Sequence, residues 1–136
     1  MRRVFVDTSG FYALIVSRDE NHTHAHELFT VAAREKWRLV TTNAVVFEIY
    51  ALLLARARPS REVALRFLDT VAARAYEVVR LLKTDEEQAI ALIRSHIDKT
   101  YSLCDASSFV VMERSGITEA IAFDQDFRSY GRFVML

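Results

Sequence analysis

The sequence predicts one α/β domain over residues 1–136, a three-layer α/β/α arrangement whose central parallel sheet has about five strands. Two observations carry that expectation. Short apolar runs alternate with longer helical patterns along the chain, the order that builds a parallel sheet with helices on both faces. Glycine and proline are scarce, three and one, so loops are expected to be short and elements long.

Val4-Phe5-Val6 is an unbroken apolar run ending in Asp7-Thr8-Ser9-Gly10, which reads as a buried strand turning into a helix. His22 to Lys36 places Ala25, Leu28, Phe29 and Ala32 on one helical face. Arg38 to Thr41 is a second strand. Asn43 is expected to cap a helix running to about Arg58, and Pro59-Ser60 to open another reaching about Arg74. Tyr76 to Leu81 is a third strand. Thr84 with Glu87 has capping-box spacing for a helix to about Lys99. Leu103 to Ser115 is helical, with Gly116 as its stop. Ala120 to Phe123 and Arg132 to Leu136 complete the strands.

Composition narrows the function classes. One cysteine excludes a disulfide framework and suggests a reducing, cytoplasmic setting. No apolar run approaches the roughly 18 residues of a membrane span, and no signal-peptide pattern follows Met1-Arg2-Arg3. Net charge is zero, so any grip on nucleic acid must come from a local basic face. Acids gathered into one site would mask basic residues elsewhere in the sum.

Acids stand where the pattern does not call for them. In an open parallel sheet, ligands bind beyond the carboxyl ends of the strands. Asp7 and Asp124 follow the first and fourth strands at that edge, although either could simply cap the next helix. Glu48 is the only charge from Ala44 to Ala55, amid Val45, Val46, Phe47, Ile49, Leu52, Leu53 and Leu54. A helix apolar all round is expected to be buried, and a buried carboxylate must be protonated, paired or metal-bound. Asp105 is likewise the only charge from Tyr101 to Met112, in a first helical turn that also suits an acid. If these acids converge, their repulsion requires a cation. An all-carboxylate set selects hard ions, Mg²⁺ or Mn²⁺, which polarise phosphates and activate water.

These segments resemble the motifs of the PIN-domain nucleases, in particular the VapC-type toxins of toxin–antitoxin modules. Val4-Phe5-Val6-Asp7-Thr8-Ser9 is similar to the family's first motif, Thr41 to Glu48 to its second, Ser102 to Phe109 to its third, and Ala122 to Phe127 to its fourth. Asp19-x-x-His22-x-x-Ala25 is also common among such proteins. The resemblance spans nearly the whole chain and implies a PIN-like fold and a metal-dependent endoribonuclease. Asp7 and Asp105 would be the principal Mg²⁺ ligands, Glu48 would complete the site directly or through water, Asp124 would serve a second ion or hold the hydrated one, and Asp126 would assist. Thr8 would orient Asp7, with Asn43 also supporting the site. Metal-activated water would attack a backbone phosphorus and leave a 5′-phosphate. The resemblance further implies a homodimer silenced by an antitoxin protein.

Other features have plainer readings. Arg56, Arg58 and Arg61 could contact RNA phosphates, or could be a solvated helix end. His22, His24 and His26 lack a fourth ligand and suit a solvated helix start. Cys104 has no His partner and reads as a small apolar residue. Trp37 and Tyr101 suit packing better than base stacking. An aspartyl phosphatase would need an acid at position 9, which is Ser9. A catalytically silent PIN-like binding module is the remaining alternative, against which the full set of acids argues.

Overall fold

The computed structural model describes residues 1–136. Its central strand, β1 (Arg3–Val6), is covered on both sides, which is why Val4-Phe5-Val6 is continuously apolar. β2 (Arg38–Thr42) and β4 (Glu119–Ile121) pair with its two edges. β3 (Glu77–Val79) lies outside β2, and β5 (Val134–Met135) outside β4. All pairings are parallel, in the order β3-β2-β1-β4-β5, as the alternation of elements predicts.

Seven helices connect the strands: α1 (Thr8–Ile15), α2 (His22–Glu35), α3 (Asn43–Arg56), α4 (Ser60–Ala72), α5 (Lys83–Ser95), α6 (Leu103–Ser115) and α7 (Gln125–Tyr130). α1 packs on α2 and α3, α3 on α4, and α5 on α6; the right-handed crossover rule for parallel strands puts α1 to α4 on one face and α5 to α7 on the other. On the first face Phe11 meets Phe67 and Tyr76 edge-on, at 5.2 and 5.0 Å between ring centres. On the second, Phe109 packs edge-on against Phe127 and stacks on Tyr130 at 4.1 Å. Gly10 lets α1 cross close over β4; a Cβ there would stand 2.3 Å from the Ile121 carbonyl oxygen.

Several helix ends differ from the sequence expectation. Thr42, not Asn43, caps α3, its hydroxyl accepting the Val45 N–H at 3.1 Å. The Asn43 amide oxygen instead accepts the Leu81 N–H across the loop after β3. α3 stops at Arg56 because Arg58 precedes Pro59 and the α conformation is disfavoured there. Asp85, rather than the Thr84–Glu87 pair, serves the start of α5. It accepts the Leu82 N–H at 2.8 Å while Arg114 of α6 grips it with two hydrogen bonds. α5 ends at Ser95, short of Lys99, and α7 is a helix the sequence pattern did not suggest. No helix is long and apolar enough to cross a membrane.

The order of the strands determines where chemistry can occur. The chain moves outward from β1 to β2 to β3, then returns to lay β4 against the other edge of β1. The crevice beyond the carboxyl ends of β1 and β4 is therefore the topological switch point of the sheet.

Candidate metal centre and cleft

Val6 and Ile121 are register partners on β1 and β4, so the residues that follow them emerge side by side. Asp7 comes directly after β1. Its N–H donates to the Ile121 carbonyl, and its side chain caps α1 by accepting the Ser9 N–H at 3.4 Å. Asp124 caps α7, its Oδ1 accepting the Asp126 N–H at 2.8 Å. Asp105 is brought in by α6, whose N-cap Ser102 accepts the Asp105 N–H at 3.0 Å. Helix capping and convergence are thus compatible, because each of these helices starts at the crevice. Ligand oxygens of Asp7, Asp105 and Asp124 lie within 4.8 Å of one another.

The electrostatics of this cluster are unfavourable without a cation. Asp7 and Asp105 are nearly fully buried, and none of the chain's ion pairs involves either of them or Asp124. Burial pushes the Asp7 carboxyl up to about 7, against the opposing pull of the Thr8 and Ser9 backbone N–H groups, with a further upward push from Asp124. Burial likewise raises Asp105 to about 7, and the negative charges of Asp7 and Asp124 add to the rise. Asp7 Oδ1 is buried with no hydrogen-bond partner. A buried carboxylate oxygen facing two other carboxylates, in an all-oxygen donor set, fits a hard divalent cation.

Ser9 is the positioning residue that sequence reasoning missed. Its hydroxyl donates to Asp7 Oδ2 at 3.1 Å and accepts the N–H groups of Phe123 and Asp124 at 2.9 and 3.3 Å. It thereby ties the end of β1 to the end of β4. Thr8, expected to orient Asp7 with its hydroxyl, contributes its backbone N–H; its Oγ1 is buried and unpartnered. Asn43, expected to support the site, is committed to Leu81. The run Asp7-Thr8-Ser9 held a signal for Ser9, but only strand neighbours could show which hydroxyl is the bridge.

Glu48 does not occupy the buried position its neighbours suggested. It is exposed, as are Phe47 at 70% and Leu54 at 40%, so α3 shows an outer apolar face to solvent. Glu48 nevertheless lines the same cleft as Asp7 and Asp124, outside the three-acid group. Asp126 is half-buried, also outside that group, and its charge contributes slightly to raising Asp105. The cleft has a volume of about 770 Å³ and continues along α3 to Arg56. Arg58 and Arg61 do not line it; the Arg58 guanidinium turns back to the Ala57 carbonyl. His22 and His24 bond the carbonyls of Ala13 and Leu136, and burial pushes the Cys104 thiol far up, away from nucleophilic chemistry.

The family model for the PIN domain matches residues 4–132. The chain belongs to the PIN-domain family. It is 37% identical over 131 residues to the 23S rRNA-specific endonuclease VapC20 of Mycobacterium tuberculosis, covering 94% of each chain. It superposes on the crystal structure of that species' VapC20, described as a Sarcin-Ricin loop cleaving toxin, with a TM-score of 0.88, 32% identity and 98% of each chain covered. VapBC2 from Rickettsia felis bound to a promoter DNA fragment shares the fold, with a TM-score of 0.70 at 10% identity, covering 98% of this chain and 97% of that one. The nuclease fold and enzyme class that the motifs imply agree with this family and these relatives.

Proposed function

We propose that this PIN-domain nuclease is a Mg²⁺- or Mn²⁺-dependent endoribonuclease and the toxin of a toxin–antitoxin pair. The observation that carries the proposal is the group of three carboxylates, with oxygens within 4.8 Å and no internal cation to balance them. Asp7, Asp105 and Asp124 would hold the ion, with Glu48 across the cleft and Asp126 beside Asp105 completing its surroundings. Such an ion, when bound, supplies Lewis-acid polarisation of a phosphodiester and a water of lowered pKa. The chain's own residues do the rest. Ser9 fixes Asp7 against the β4 end, Asp7 and Asp105, raised to about 7 by burial, would hold the ion as carboxylates, and Arg56 at the cleft would offer its charge to a phosphate.

The relatives named as acting on 23S rRNA make a structured ribosomal RNA the leading substrate class. The outer apolar face of α3, with Phe47 and Leu54 exposed, supports a protein partner next to the cleft, an antitoxin or a second copy in a homodimer. A cytoplasmic setting is consistent with the single unpaired cysteine.

The test is incubation of a mixed RNA pool with Mg²⁺ or Mn²⁺, comparing the wild type with Asp7→Asn and mapping the new ends. Fragments with 5′-phosphates from the wild type and none from the variant are expected. Equal cutting by both, or no cutting by the wild type with either ion, would remove the proposal.

A further inference from the structure

The carboxylates account for only one part of the cleft. An apolar wall forms another part, with Tyr12 from α1, Ala51, Leu52 and Ala55 from α3, and Phe123 after β4, beside Asp19, Asn21 and Arg56. Among these stand polar groups with no partner inside the chain. The Tyr12 hydroxyl makes no hydrogen bond, and Asn21 bonds only through its backbone, its N–H donating to Asp19 and its carbonyl accepting from Ala25, which leaves its side-chain amide free. The Arg56 carbonyl accepts from Arg18, while its guanidinium makes no hydrogen bond and pairs with no acid. A volume of about 770 Å³ is in the range of small-ligand pockets. It suits one unstacked nucleotide, whereas a paired base keeps its faces in the stack and its edge occupied.

We propose that the apolar wall of the cleft is a pocket for one unpaired RNA base next to the cut, read by Asn21 and clamped by Arg56. The base lies against Tyr12 and the α3 wall, because a π-face is the part of a nucleotide that gains from apolar contact. The Asn21 amide offers one acceptor and two donors to the base edge, which makes it the specificity-determining group. Arg56 takes a flanking phosphate, the one part of the nucleotide that the acids would otherwise repel. The proposal rests on the nuclease reading above and adds to it the residues that select the base beside the cut.

The test uses a Mn²⁺-loaded full-length chain and an RNA hairpin, alone or with its loop paired to a complementary strand. The wild type should cut the loop and spare the paired form. Asn21→Ala should broaden the base preference beside the cut and lower kcat/KM about tenfold or more. Arg56→Ala should raise KM similarly on all sequences and reduce the salt dependence of binding by about one phosphate contact. Mn²⁺-induced thermal stabilisation should match the wild type in both variants, showing that fold and ion site persist. A fluorescent base analogue at the cut position should be quenched on binding Asp7→Asn, and less quenched when Tyr12→Ala is added. Equal cutting of paired and unpaired loops, or an unchanged base preference in Asn21→Ala, would overturn the pocket while leaving the nuclease intact. A wild type that cuts neither form would overturn the nuclease reading itself.

Discussion

Replacing Asp7 with Asn should make the metal-free protein more stable at alkaline pH while abolishing its ion binding. In the folded chain Asp7 titrates near 7, against 3.8 for the ordinary group, because it is buried among other acids. The sign follows from proton linkage. Between these two values the native state keeps a proton that the unfolded chain has lost, so stability falls as pH rises through that window and levels off above it. Three units correspond to a ceiling of about 4 kcal/mol, of which about 2 to 3 kcal/mol falls between pH 5 and pH 8. Asn keeps an oxygen for the Ser9 N–H and hydroxyl but forfeits the charge assistance in those bonds. The net gain at pH 8 is therefore expected to be about 1 to 3 kcal/mol. Urea denaturation in a chelator at pH 5 and pH 8 measures it. The wild type should weaken over that range, the variant distinctly less. Mn²⁺ at a hundred times its Kd should restore about 3 kcal/mol to the wild type alone. A variant less stable than the wild type at pH 8 by more than about 1 kcal/mol would show that Asp7 serves mainly as a helix cap, and the reasoning would fail.

Ser9→Ala removes three hydrogen bonds and leaves the Phe123 and Asp124 N–H groups without their acceptor. It should cost about 2 kcal/mol in chemical denaturation and weaken Mn²⁺ binding about 10- to 100-fold by calorimetry. Gly10→Ala places a methyl against the Ile121 carbonyl, with backbone rather than a flexible side chain in the way. It should lose about 3 kcal/mol or more, visible as a lowered Tm with little change in far-ultraviolet circular dichroism at low temperature. Glu48→Gln, on an exposed position that lines the cleft, should leave stability within about 0.5 kcal/mol and reduce cleavage. A stability loss as large as that of a core substitution would contradict its exposure.

The sequence alone was enough for the parallel sheet, because Val4-Phe5-Val6 and the alternating helices obey local periodicities that need no knowledge of contacts. It also indicated Asp7, Asp105 and Asp124 as candidate ligands, since an acid at a strand end or alone in an apolar stretch is chemically conspicuous. It could not show that they meet. That depends on β4 returning to the edge of β1, a choice made by long-range pairing. Glu48 shows the limit most clearly. Apolar neighbours on every side imply a helix buried all round, but α3 turns only Val45, Val46, Ile49 and Leu53 to the core and leaves Phe47, Glu48 and Leu54 exposed. Burial belongs to the packing of elements, not to their composition. Ser9 and Asn43 teach the same lesson about hydrogen bonds. The hydroxyl that bridges Asp7 to Phe123 and Asp124, and the amide that reaches Leu81, find partners far along the chain, which only the folded geometry brings within reach.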